Sequence, residues 1–197
     1  MKLELIVVTP DPEGVIEIAG RECYQSEVGN REIIKNWIKS GHTSVIEHAS
    51  ATFRLSGVSR AESHQHVRHR IASYSQKSQR YVKEDKFDFV IPPSIQNHSN
   101  PDVLDAYVSL MDKIQDTYNY LSFNKIKKED CRLVLPNACE TSFVFTMNFR
   151  SMRNFLNLRL DEHVQWEIRQ VAKAMLEYVK PLAPNVFFDF DISNYIW

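Results

Sequence analysis

The sequence predicts an α+β domain, a small antiparallel sheet packed with helices, with residues 1–197 forming a single domain. Three observations carry that expectation. Short β-rich runs stand far apart, at Leu3–Val8, Ala51–Leu55 and Thr141–Met147. The stretches between them carry helical spacing, longest over Asp102–Phe123, where Val103, Tyr107, Leu110, Met111, Ile114, Tyr118 and Leu121 fall on one stripe. Hydrophobic residues make up 43% and charged residues 25% of the 197, the composition of a globular chain with a sizeable core. No apolar run approaches membrane-spanning length and no charged-then-apolar segment opens the chain. A cytoplasmic protein with no membrane partner is therefore expected.

Taken in order, Leu3–Val8 reads as the opening strand, ended by Pro10 and Pro12. Gly14–Tyr24 and Arg31–Lys39 read as helices, the second stopped by Gly41. Thr52 and Phe53 favour extension in the next strand. Ser59 is placed to cap a helix running to about Arg70. Phe87–Ile91 reads as a short strand before Pro92 and Pro93, and Lys127–Leu135 as a short helix stopped by Pro136. After the Thr141–Met147 strand come two helices, Arg150–Leu160 and Val164–Lys180, and then an aromatic tail that either packs or stays loose.

Glycine and cysteine usage narrows the chemistry. Five glycines occur, with no GxGxxG and no GxxxxGK[ST], so any dinucleotide must be held by side chains and helix ends. Cys23, Cys131 and Cys139 are three, without a CxxC, so neither a disulfide framework nor a metal site is expected.

The densest functional signal lies in Ser63–Tyr81, which lacks any carboxylate. That window carries Arg68, Arg70, Lys77 and Arg80, with His64, His66 and His69 beside them and Ser73, Ser75 and Ser78 interleaved. The whole chain has a formal net charge of -1, so positive charge is concentrated here. Guanidinium forks, a lysine and short hydroxyls suit phosphate oxygens; a solvated basic loop is the plainer reading of such a run. In the helix expected before it, Gln65, Arg68 and His69 would share a face.

Three further segments stand out. His42-Thr43-Ser44-Val45-Ile46-Glu47-His48 gathers a histidine, hydroxyls and a carboxylate in a tight turn, which on spacing alone reads as a helix stop and cap. Arg132 precedes Leu133-Val134-Leu135-Pro136 and, taken alone, is a surface arginine. In Asn148–Arg159, Met152, Phe155, Leu156 and Arg159 fall at i, i+3, i+4 and i+7, so an apolar helical stripe ends on an arginine. Such an arginine either snorkels to water or, if kept inside, needs an anion.

Together these segments resemble the flavin-dependent thymidylate synthases. The family signature reads Arg-His-Arg-x-x-Ser-x-Asn-x-x-Ser-x-Arg-Tyr. Arg68, His69, Arg70, Ser73, Ser78, Arg80 and Tyr81 match it, Ser75 stands at the Asn position, and Gln76 stands where many members carry Glu. The turn at His42–His48 is similar to the family's His-x-[Ser/Thr]-x-x-Glu-His, Arg132 to the arginine of Arg-x-x-Leu-Pro, and Asn148, Arg150, Asn154 and Arg159 to an Asn-x-Arg…Asn…Leu-x-Leu-Arg pattern. Gln165, Glu167, Ile168 and Arg169 match the helix that follows, so the resemblance runs from about Ala19 to Arg169.

The resemblance implies reductive methylation of dUMP to dTMP. 5,10-Methylenetetrahydrofolate would give the carbon and FAD, reduced by NADPH, the hydride. Arg159 is implied as the catalytic residue, stabilising a uracil ionised at N3. Cofactor contacts are implied for Ser44, Arg68, His69, Arg70, Gln76, Asn148, Phe149, Arg150 and Asn154, with His42 and Glu47. Substrate contacts are implied for Gln65, His66, Val67, Arg68, Gln76, Lys77, Ser78, Gln79, Arg80, Arg132 and Arg159. No metal is implied, no catalytic role falls to Cys139, and the expected assembly is a homotetramer with active sites at subunit interfaces. The rival reading is a single-stranded nucleic-acid-binding module using residues 64–81 with Tyr74 and Tyr81 as stacking platforms. The near-neutral net charge argues against it. A third reading, a catalytically dead homologue, has against it the retention of Arg68, Arg70, Arg80, Arg150 and Arg159.

Overall fold

Alternation of apolar and polar residues puts Ala51, Phe53 and Leu55 on one face of strand β2 (Ser50–Ser59), and Phe145 and Met147 on one face of β4 (Glu140–Asn148); all five are buried. The Phe53 and Phe145 rings stack at 5.5 Å, while on the other face the hydroxyls of Thr52 and Thr146 meet at 2.9 Å. With β1 (Lys2–Val8) and β3 (Ser73–Gln76) these strands form a four-stranded antiparallel sheet in the order β1-β2-β4-β3. The α+β class is therefore as expected. The computed structural model describes residues 1–191 and 193. Among these, no helix is long and apolar enough to cross a membrane.

The chain divides into two compact units. The larger comprises residues 2–55, 65–75 and those from Val144 onward, and it holds the body of the sheet. Its helix α1 (Pro12–Glu22) starts earlier than expected, because Pro12 enters the first helical turn behind an Asp11 cap instead of merely ending the strand. Two acidic residues of α1 are buried as anchors: Glu13 accepts from the backbone and amide nitrogens of Asn185, and Glu17 from the backbone nitrogen of Gly29. Helix α2 (Ile33–Lys39) lays Trp37 against Gly20, where a Cβ would lie 2.3 Å from the ring, so the helices can approach this closely only with glycine there. It stops before Gly41, whose φ of +80 favours glycine. A 3₁₀ segment, Thr43–His48, follows.

In helix α7 (Phe149–Arg159), Met152, Phe155 and Leu156 are fully buried, as the stripe predicts. In helix α8 (Trp166–Leu182), capped by the Gln165 side chain, Ile168, Val171, Ala172, Met175, Leu176 and Val179 form the buried stripe. The segment beyond α8 packs: Val186, Phe187 and Phe190 are buried, and Arg153 binds the Asp189 carboxylate at 2.7 and 2.6 Å. The last part of the aromatic tail, 194–197, lies outside the described residues.

The smaller unit comprises Met1, Ser56–His64 and Gln76–Phe143. Ser59 Oγ accepts from the Glu62 backbone at 3.0 Å and caps helix α3 (Arg60–His66). A four-residue helix, α4 (Pro93–Gln96), precedes the long helix α5 (Asp102–Phe123). The α5 bounds are those expected, but the stripe is narrower: Met111 and Tyr118 are buried, whereas Leu110 is 52% exposed. Met111 packs with Phe87 and Cys139 in this unit's core. The strand expected at Phe87–Ile91 is reduced to one bridge, Phe89 to Cys139. The helix expected over Lys127–Leu135 is a turn of α-helix, α6 (Lys128–Cys131), passing into a 3₁₀ turn at Arg132–Val134.

Candidate active site

Helix α3 ends at His66, four residues short of the expected end. The chain then turns, with the backbone nitrogens of Arg68 and His69 donating to the carbonyls of Gln65 and His66. Gln65, Arg68 and His69 therefore do not share a helical face. Gln65 instead points its amide at Gln165, at 3.5 Å. The turn brings Arg68, His69 and Arg70 to the wall of a cavity of about 810 Å³. Helix α7 contributes Arg150, Asn154 and Arg159 to the lining, with its cap Asn148, and the 3₁₀ segment adds Glu47.

Four arginines face this cavity against one carboxylate. That carboxylate, Glu47, is paired to Arg150 Nη1 at 2.5 Å. Asn148 Oδ1 accepts from the Ser151 backbone at 2.8 Å, so the residue that lines the cavity also starts α7. Arg159 is partly buried at the end of the apolar stripe, and its Nε donates to His69 Nε2 at 3.0 Å. His69 packs on Phe155 at 4.7 Å. Burial first, then the charges of Arg159 and His66, push the His69 pKa down from 6.5 to about 4. The ring is therefore neutral near pH 7, with its proton on Nδ1. A volume of this size and a surplus of guanidinium donors fit an extended ligand with more than one anionic group.

Other expected site residues lie elsewhere in the larger unit. His42 and Ser44 line a second cavity of about 270 Å³ with Cys23, Tyr24 and Trp37, and His42 Nδ1 meets the Tyr24 hydroxyl at 3.2 Å. Phe149 is a core residue, buried against Phe187 at 5.3 Å, and does not line the main cavity. His66 is also buried, between Phe145 and Phe155 at 4.6 and 4.8 Å, and Val67 is exposed.

In the smaller unit the expected substrate residues separate into inward and outward sets. Gln76 donates to Ser63 Oγ at 2.9 Å and Thr141 Oγ1 at 3.2 Å, and buried Gln79 donates to Cys139 Sγ at 3.5 Å. An amide at Gln76 suits two hydroxyl acceptors, which gives a local account of its departure from Glu. Lys77 Nζ lies 2.9 and 3.1 Å from the two carboxylate oxygens of buried Glu84. Ser78 Oγ accepts from the Arg80 backbone at 3.3 Å. Arg80 is exposed and reaches Glu129 Oε2 at 2.9 Å, while Arg132 Nε reaches the Glu129 carbonyl at 3.2 Å. The two arginines thus meet on one residue although 52 positions separate them (132 less 80). Burial above all, with the charge of Glu84, raises the Cys139 pKa to about 11, so its thiolate is disfavoured at neutral pH.

Sequence reasoning passed over Ile71, Ser151 and Leu158, which also line the main cavity. Ile71 and Leu158 carried a usable signal: each is apolar, in a polar window or on the polar side of a helix, and each is exposed, at 74% and 54%.

Comparison with known proteins agrees with this arrangement of motifs. The family described as thymidylate synthase complementing protein matches residues 4–185. A flavin-dependent thymidylate synthase of Clostridium tetani is 44% identical, over 95% of this chain and 85% of its own. That of Geobacter sulfurreducens is 45% identical over 96% and 86%, and that of Sulfolobus acidocaldarius 41% identical over 95% and 75%.

Proposed function

The chain belongs to the flavin-dependent thymidylate synthase family, and on that premise we propose that it is a cytoplasmic enzyme that methylates dUMP reductively to dTMP. 5,10-Methylenetetrahydrofolate supplies the carbon. FAD, held in the arginine-lined cavity and reduced by NADPH, supplies the hydride. The observation that carries this reading is Arg159. A buried apolar stripe ends on it and brings it to a cavity already rich in guanidinium groups.

Arg70, Arg150, Asn148 and Asn154 bind the cofactor, their charge and donors meeting its pyrophosphate. Arg68 serves the nucleotide side of the same cavity. Arg80 and Arg132 hold the phosphate of dUMP, with Ser78 as a hydroxyl donor beside them. Attack by C5 of uracil on a one-carbon unit requires electron density in the ring. Arg159 provides for it by stabilising the ring ionised at N3, an electrostatic contribution that needs no enzyme nucleophile. Ser78 is read as a binding residue and not as a nucleophile: among the described residues its hydroxyl oxygen accepts from the Arg80 backbone nitrogen, a contact that activates nothing. The working assembly is a homotetramer in which residues of different protomers complete each site, to be checked by light scattering on the active enzyme.

The test is a tritium-release or dTMP-formation assay with FAD, NADPH and methylenetetrahydrofolate, run on protein whose flavin absorbance has been recorded. Yellow protein that forms dTMP is expected. Colourless protein that takes up no flavin and retards single-stranded RNA would refute the reading in favour of a nucleic-acid-binding module.

A further inference from the structure

Tyr74 lies inside the basic window at a position for which neither cofactor nor substrate contact is implied. Its hydroxyl shares its one proton between two backbone carbonyls, those of His66 at 3.0 Å and His69 at 2.9 Å. Its ring is fixed by Phe145, stacked at 6.5 Å, and by the edge of His66 at 5.9 Å. The hydroxyl therefore ties both ends of the tight turn that ends α3. That turn sets the backbone of His69, and the His69 ring, against Phe155, accepts from Arg159 Nε at 3.0 Å.

We infer that Tyr74 is a positioning residue for Arg159, acting through the His69 turn and ring. The inference rests on the catalytic role proposed for Arg159 and adds what aims it. Arginine has many rotamers, and a guanidinium that must meet a planar ring edge works only in a narrow range of orientations. Fixing Nε fixes the plane of the whole fork. A neutral imidazole can do so only while its Nε2 is unprotonated and its ring is held, and the Tyr74 hydroxyl holds the backbone that carries the ring. Tyr74 touches neither ligand in this scheme.

The test is a double-mutant cycle with Tyr74→Phe and Arg159→Lys, at saturating FAD, beside ¹⁵N spectroscopy of histidine-labelled protein. Tyr74→Phe keeps the ring contacts and removes only the hydroxyl. At that saturating FAD it is expected to lower kcat for dTMP formation about tenfold, the scale of losing an ordinary hydrogen bond, with KM for dUMP unchanged. In the Arg159→Lys background, which lacks the Nε donor, the same change should cost less than about twofold if Tyr74 works through Arg159. A loss of equal size in both backgrounds shows a merely structural role and overturns the inference. The His69 Nε2 resonance should move in Tyr74→Phe and in Arg159→Lys; a resonance unmoved by either also overturns it. If Arg159→Lys itself turns over at the parent rate, the catalytic role of Arg159 fails, and the resonance then decides the positioning contact on its own.

Discussion

Removing the Arg159 guanidinium should separate the two halves of the reaction. Met152, Phe155 and Leu156 are fully buried, whereas Arg159 ends the stripe partly buried, so Arg159→Ala leaves the helix packing in place. A planar fork meets a ring edge through two parallel N–H groups. Each hydrogen bond to a charged group contributes roughly 1.5–3 kcal/mol, so two of them sustain roughly 10²–10⁴ in rate. Arg159→Ala should lose that much in single-turnover dTMP formation. Arg159→Lys keeps the charge but loses the second donor and the Nε contact to His69, and should lose about 10- to 150-fold. Reduction of bound flavin by NADPH, followed by stopped-flow absorbance, should proceed in both variants because it needs no uracil ionisation. Parent-rate dTMP formation by Arg159→Ala would refute the electrostatic role.

The outward arginines of the smaller unit should read as phosphate anchors: Arg80→Ala and Arg132→Ala are each expected to weaken dUMP about 10- to 100-fold in a direct titration and to leave FAD affinity unchanged. Equal loss for both ligands would reassign them. On the cofactor side, Arg70→Ala and His69→Ala should purify folded but flavin-poor, measured as the ratio of flavin to protein absorbance. Full occupancy at unchanged affinity would confine the basic window to dUMP. The fourth prediction concerns pH. The folded pKa of His69, about 4, lies below its ordinary 6.5, so between those values the unfolded chain binds more protons at this site. Its contribution to stability is therefore complete above about pH 6.5 and is lost as pH falls toward 4. His69→Gln should flatten that part of a plot of urea midpoint against pH, and an unaltered slope would count against a neutral, half-buried ring.

Long apolar stripes were the most legible part of the fold. Helix α5 has the bounds its spacing predicts, and the burial of Phe145 and Met147 follows β4 alternation. The sequence extends helix α3 too far because nothing local stops it: no glycine or proline stands between His66 and Tyr74, and the clamp comes from Tyr74 itself, eight and five residues beyond the two carbonyls it binds. The bridge at Phe89 depends on a partner 50 positions away (139 less 89), which no propensity at residues 87–91 encodes. In the site, residue type announced the chemistry and geometry assigned it. Arg150 and Arg153 lie three positions apart on α7, yet Arg150 lines the cavity beside Glu47 while Arg153 grips Asp189. Likewise Gln76 and Gln79 sit in the basic window and serve Ser63, Thr141 and Cys139. A motif lists which donors are present; the partners that occupy them come only with the fold.

The choice of a histidine beside Arg159 has an electrostatic reason. The cavity concentrates four guanidinium groups, and each raises the cost of the others. A carboxylate at the position of His69 would relieve that repulsion and bind Arg159 more strongly. It would also neutralise the charge that an ionised uracil needs, leaving a closed ion pair in place of an anion site. A protonated imidazole would fail in the opposite way, offering no lone pair to Nε and adding a further cation. Neutral imidazole is the one state of these groups that orients the fork and leaves its charge intact. Burial against Phe155, together with the positive charge of Arg159 itself, holds His69 in that state. The arginine to be aimed thus helps to keep its own aiming group neutral, and the imidazole that accepts from its Nε adds no charge of its own to the cavity.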